Sequence, residues 1–135
     1  MDTTQIERLI AAATEVRKRA HAPYSGYRVG AAVLAADGRI FTGCNVENAS
    51  YGLSVCAERN AVGAAVAAGC EKLAGIAVVT ASAPPAAPCG ACRQVLAEFG
   101  DFPVILAGLD GDWQSTTVRG LLPDAFLPSV LLDGP

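Results

Sequence analysis

Apolar residues recur at Ile6, Leu9, Ile10, Ala13, Val16 and Ala20, a spacing that gathers them on one face of a helix. Thr4-Gln5-Ile6-Glu7 has the form of a capping box at its start, and the helix must end before Pro23. Then the period changes. Val29 to Ala35 and Ile40 to Val46 are short apolar runs around Ala36-Asp37-Gly38-Arg39, which predicts a hairpin. Glu47 to Ser54 is polar and predicts a loop, and a helix is expected from about Val55 to Ala68, stopped by Gly69. Ile76 to Thr80 reads as a buried strand that Ala83-Pro84-Pro85-Ala86-Ala87-Pro88 cannot continue. A third helix is expected over Cys89 to Phe99, closed by Gly100. Val104 to Ala107 is a fourth strand, Ser115 to Val118 a fifth after the Asp110-Gly111 turn, and Leu121-Leu122-Pro123 begins an irregular tail.

A helix, a hairpin, and then strands alternating with helices predict an α/β fold with one mixed sheet. Neither an internal repeat nor an interdomain linker is visible, so residues 1–135 are expected to form one domain. In such sheets ligands bind at the carboxyl edge of the strands, where the following helices start. The second and third helices begin at cysteines. The chemistry is expected there.

Composition changes the picture in two places. Hydrophobic residues make up 52% of the chain and charged ones 17%, an excess that fits either a subunit interface or simple alanine richness. The net charge is −3 and the longest basic run is Arg17-Lys18-Arg19, which speaks against a polyanion partner such as nucleic acid. No apolar stretch approaches the ~20 residues that span a bilayer. No export signal is visible either, so a cytoplasmic location is expected. Five cysteines cannot all pair, and in that setting clustered cysteines point to metal or redox work.

Cys89 and Cys92 are three apart and share one face of a first helical turn. Cys56 and Glu58 are two apart, so both reach one ion only if it lies off the helix's N-terminal end. The positive end of the helix dipole favours thiolates at that point. Three protein ligands leave a tetrahedral zinc one open position, as in a catalytic site. Cys44 and Cys70 lack paired-ligand spacing and read as buried small apolar residues; His21 reads as a surface or packing residue. Three thiolates on Zn²⁺ leave a charge of about −1, so Arg59 and Arg93, each next to this ligand set, are expected to hydrogen-bond the sulfurs. Cys89-Gly90-Ala91-Cys92 alone also suits a thioredoxin-like redox pair or a structural zinc site. The Cys56-x-Glu58 element argues against the first, and the missing fourth ligand against the second.

Cys56-Ala57-Glu58-Arg59 and Pro88-Cys89-Gly90-Ala91-Cys92-Arg93-Gln94 stand with Cys44-Asn45-Val46-Glu47-Asn48-Ala49-Ser50-Tyr51-Gly52, Tyr24-Ser25 and Leu121-Leu122-Pro123-Asp124-Ala125-Phe126. Together these resemble the small, free-nucleoside cytidine deaminases with an all-cysteine zinc site. The resemblance runs from about residue 5 to 127 and implies a three-layer α/β/α domain with a five-stranded mixed sheet and helices on both faces. It implies one zinc per chain on Cys56, Cys89 and Cys92, with Glu58 moving protons. Asn45 and Glu47 would bind the ribose hydroxyls, and Ala57 would line the substrate site. Tyr27 takes the place of the usual Phe against the pyrimidine, and its added hydroxyl needs a partner. The family is a homotetramer in which Ala49, Tyr51 and Phe126 reach neighbouring sites. The implied reaction turns cytidine and 2′-deoxycytidine into the uridine products, a step of pyrimidine salvage. A deaminase of a cytosine-containing antibiotic nucleoside shares the zinc elements, but the Asn-x-Glu-Asn loop favours an ordinary ribose.

Overall fold

In a computed structural model of the chain, which describes residues 1–133, strand β1 (Gly30–Ala35) is buried along its whole length. Its side chains alternate between two layers, as a strand's period of two requires. Ala31, Val33 and Ala35 enter one hydrophobic cluster, Ala32 and Leu34 the other. Helix α1 (Thr3–Arg17) covers the second layer through Ile6, Leu9 and Ala13. Helices α2 (Ala57–Ala67) and α3 (Gly90–Ala97) cover the first through Ala61, Val62, Ala65 and Leu96. Leu9 is completely buried, a burial that contributes about 1.5–3 kcal/mol.

Strands β2 (Ile40–Cys44), β3 (Leu73–Val79), β4 (Pro103–Ala107) and β5 (Trp113–Thr117) complete a sheet of order β2-β1-β3-β4-β5. Only β3 and β4 run parallel, joined through α3; the other neighbours are antiparallel. The sheet is mixed, with helices on both faces, as expected from the sequence. The last two positions of the expected 1–135 domain lie outside the described residues.

One register fixes the site. Gly30 pairs with Cys44 on one side and with Val79 on the other. The chain therefore leaves β2 and β3 at the same sheet edge, on its way to α2 and α3. Gly43 lets α2 close onto β2, because a Cβ there would collide with the Ala61 amide and lie 2.6 Å from the Ala57 carbonyl oxygen. Any side chain at 43 would push the start of α2 away.

Four local readings differ. The capping box uses Asp2 and Gln5 instead of Thr4 and Glu7: Gln5 N donates to Asp2 Oδ1 at 2.8 Å and Asp2 N to Gln5 Oε1 at 3.0 Å. Asp is as good a cap as Thr, and the helix starts earlier. Strand β3 begins at Leu73, because it follows β1 past an irregularity at Leu34/Ala35. Strand β5 begins at Trp113, pairs only with β4, and is exposed. The tail contains short helices α4 (Val118–Leu121) and α5 (Ser129–Leu132), the first capped by Thr117, whose Oγ1 accepts from Gly120 N at 2.9 Å.

Candidate metal centre and substrate cavity

Cys56 and Cys89 are the N-cap residues of α2 and α3, and Cys92 lies in the first turn of α3. Because both helices follow strands that flank β1 and end at the same sheet edge, their N-termini meet. The three Sγ atoms lie within 4.8 Å of one another, and Cys56 and Cys89 Sγ are 3.9 Å apart. Tetrahedral zinc with Zn–S bonds near 2.3 Å needs sulfurs roughly 3.8 Å apart. The donor set fits. It lies off the helix ends, as the two-residue spacing of Cys56 and Glu58 requires.

The thiols differ in acidity. Cys56 is held down at about 5, first by a hydrogen bond from Cys92 and further by Arg59. That bond and burial push Cys92 up. Arg59 Nη2 lies 3.8 Å from Cys56 Sγ and 3.5 Å from the Ser54 carbonyl oxygen. Its buried Nε has no hydrogen-bond partner among the described residues. The guanidinium therefore faces the thiol with donor capacity to spare. Arg93 departs from expectation: it donates to the carbonyl oxygens of Pro88 (2.7 Å, from Nε) and Leu121 (2.9 Å, from Nη1), not to a sulfur. Pro88 ends the loop before α3 and Leu121 ends α4, so Arg93 clamps the segment entering Cys89 to the end of α4.

Glu58, one residue into α2 from Ala57, is 5% exposed. Burial first, and then the charge of Cys56, raise its carboxyl above the ordinary range. With Cys56, Ala57 and Cys89 it lines a cavity of about 350 Å³.

Tyr27, Asn45 and Glu47 line the same cavity. Segment 45–47 is seated by backbone pairs on both sides: His21 N to Asn45 O (3.0 Å), Glu47 N to His21 O (2.8 Å), and Val46 with Val55 in both directions (2.9 Å each). Asn45 Oδ1 accepts from Val29 N and its Nδ2 donates to Tyr27 O, both at 2.8 Å. The Glu47 carboxylate accepts from Tyr24 N (3.0 Å), Ser25 N (3.2 Å) and the Ser25 hydroxyl. The Ser25 hydroxyl leads in holding that carboxyl below the ordinary range. Both residues thus build the loop that carries Tyr27. The Tyr27 hydroxyl finds its partner 2.6 Å away in Ser82 Oγ.

Ala49, Tyr51 and Phe126 are exposed and do not line this cavity. Tyr51 stacks edge-on against Tyr24, centroids 5.6 Å apart, and the Phe126 carbonyl accepts from Gln94 Nε2 at 2.7 Å. Ser25, Val29, Val78 and Thr80 line the cavity too; Ser25 belongs to the Tyr24-Ser25 element, whereas nothing in the local sequence marks Val78 and Thr80. Ser82 is reached only through the fold. Cys44 is half-exposed instead of buried, because it ends an edge strand. Cys70 is buried but polar in its contacts: Arg39 Nη2 donates to its sulfur at 2.8 Å, and the thiol donates to Asp37 Oδ2 at 3.6 Å. His21 is exposed, as expected, though its backbone does the pairing above.

The third thiol and the buried carboxylate at one point match hydrolytic metal chemistry better than dithiol exchange. The comparisons agree. Residues 3–107 match the family described as the cytidine and deoxycytidylate deaminase zinc-binding region. The chain is 50% identical over 123 residues to a cytidine deaminase of Sporosarcina psychrophila, covering 90% of each. The crystal structure of cytidine deaminase from Burkholderia pseudomallei is similar, with TM-score 0.87 and 51% identity over 93% of this chain and 100% of that one. The Mycobacterium tuberculosis enzyme gives TM-score 0.77 and 41% identity over 90% and 96%. No described helix is long and apolar enough to cross a membrane. A three-cysteine cluster on two helix starts, a buried glutamate beside it and this degree of likeness have one meaning: the chain belongs to the cytidine and deoxycytidylate deaminase family.

Proposed function

We propose that the chain hydrolyses the exocyclic amine of cytidine and 2′-deoxycytidine, with one zinc ion held by Cys56, Cys89 and Cys92. The observation that carries this is the convergence of three thiols at two helix N-termini with a buried Glu58 on the same cavity. Zinc bound there supplies the Lewis acidity that makes water a nucleophile near neutral pH. Glu58 takes a proton from the attacking water and delivers it to ring N3 as the water oxygen bonds to C4. Glu58 next carries the second proton to the amine, which leaves as ammonia. The carboxylate is regenerated each cycle, so one group serves both transfers. Its burial keeps those protons from bulk water.

Asn45 keeps one amide N–H beyond its bond to Tyr27, and the Glu47 carboxylate keeps an acceptor site beyond its three protein bonds. They hold the two hydroxyls of a ribose in this reading. Ala57 and the ring of Tyr27 wall the base. Arg59 offsets the negative charge of the thiolates, and Arg93 fixes the entry to Cys89. The exposure of Tyr51 and Phe126, 73% and 57%, supports a homotetramer in which Ala49, Tyr51 and Phe126 complete neighbouring cavities. A free-nucleoside substrate suits a cytoplasmic role in pyrimidine salvage.

The test is the absorbance change of cytidine with purified wild type and Glu58→Gln. Glu58→Gln is expected to keep zinc and bind cytidine while kcat falls about 10²–10⁴-fold. Near-normal kcat removes Glu58 from its role, and an inert, zinc-loaded wild type overturns the function.

A further inference from the structure

Tyr27 lines the cavity, and Ser82, 55 residues away in sequence, sits on the loop after β3 whose Thr80, Ala86 and Ala87 line it too. One wall is the segment before β1 together with 45–47; the other is the segment that leaves β3 and runs through Ala86 and Ala87 to Cys89. Among the described residues, the 2.6 Å contact between Tyr27 Oη and Ser82 Oγ is the only side-chain hydrogen bond joining the segment before β1 to the segment after β3. Each end is itself anchored. Tyr27 N donates to Ser25 Oγ at 3.0 Å, Tyr27 O accepts from Asn45 Nδ2, and Ser82 N donates to Thr80 Oγ1 at 3.2 Å. A continuous path therefore runs from the Glu47 carboxylate through Ser25 and Tyr27 to Ser82, next to the loop that delivers a cysteine of the cluster.

Tyr27 is 43% exposed. Packing on its own does not hold the far end of such a ring, which can turn about its side-chain torsions. The hydroxyl bond supplies the missing constraint. We infer that Tyr27 and Ser82 form a strap across the cavity, which fixes the ring in the pose that receives the pyrimidine and sets the gap between the two walls. Tyr27 is a positioning residue through its hydroxyl as well as a wall through its ring, and Ser82 is its partner. This rests on the proposed nucleoside reading. The strap orders the cavity before substrate enters, so it strengthens ground-state and transition-state binding alike.

The test uses the zinc-loaded enzyme and the variants Tyr27→Phe, Ser82→Ala, Ser82→Thr and the double variant Tyr27→Phe/Ser82→Ala. Tyr27→Phe keeps the aromatic face and removes only the hydroxyl. Each single loss of the bond is expected to raise KM for cytidine about two- to tenfold, with kcat changed less than about twofold. The inhibition constant for uridine, which needs no turnover, should rise by the same factor. The double variant should be no worse than either single one, because one bond is lost once. Ser82→Thr, which keeps the hydroxyl, should restore most of the affinity. Unchanged KM in both singles, multiplying effects in the double, or a fall in kcat at constant KM overturns the strap. A zinc-loaded wild type inert toward cytidine fails the nucleoside reading, and the strap with it; an active wild type with indifferent variants fails the strap alone.

Discussion

At the cysteine end of the cavity the working groups sit on helix starts, and Glu58 and Cys92 are buried. At the end formed by Asn45 and Glu47 they sit on a short loop that is at best half-buried, seated by backbone pairs to His21 and Val55 and by their own side chains. The first end borrows its rigidity from the core, because α2 and α3 are fixed by packing on the sheet. The second makes its rigidity locally, from polar bonds that water can also offer. Packing thus fixes the groups on the helix starts, and hydrogen bonds fix the loop that carries Asn45 and Glu47.

That contrast can be broken from either side. The largest effect is expected for Cys89→Ala: the purified protein should lose its zinc, and activity should fall more than about a hundredfold, since even outer partners of a metal ligand matter 10–100-fold. Full metal occupancy by elemental analysis would contradict the ligand set. Asn45→Ala comes next. It leaves the part-buried Val29 N–H without its acceptor and the exposed Tyr27 C=O to water, so unfolding in denaturant should show a loss of about 1 kcal/mol, with zinc content unchanged and KM raised. A loss of zinc instead would mean that the two ends are not separately built. The smallest effect is a pH dependence. The folded-state carboxyl of Glu47 lies below its ordinary 4.5, so its contribution to stability is present above that value and is lost as pH falls through the depressed one. Glu47→Gln lacks this contribution. The gap in Tm between wild type and Glu47→Gln should hold down to about pH 5 and narrow below it; a gap that widens on acidification rejects the assignment.

The same division explains what the sequence made legible. Cys56, Cys89 and Cys92 could be placed because capping positions and three-residue spacings are local, and the meeting of two helix starts follows from the order of elements. The Tyr27–Ser82 contact could not, since two loops 55 residues apart meet only after the sheet forms. Arg93 shows a subtler limit. Its neighbourhood to Cys92 suggested a sulfur partner, yet its guanidinium donates to the carbonyls of Pro88 and Leu121. Cys70 looked apolar because the sequence does not reveal that Arg39 and Asp37 fold over it. The boundaries of β3 and β5 were set by pairing partners rather than by their own residues.

Cys56 and Cys89 hold the N-cap positions of α2 and α3, yet neither makes a side-chain capping bond. Ser, Asp or Asn in that position would each stabilise its helix by about 1 kcal/mol. Two of the three cysteines that can hold an ion are therefore among the poorer choices for starting a helix. Evolution toward heat resistance alone, with no demand for turnover, has a short mutational route open at both positions, and it leads to a sturdier protein that has forgotten its reaction.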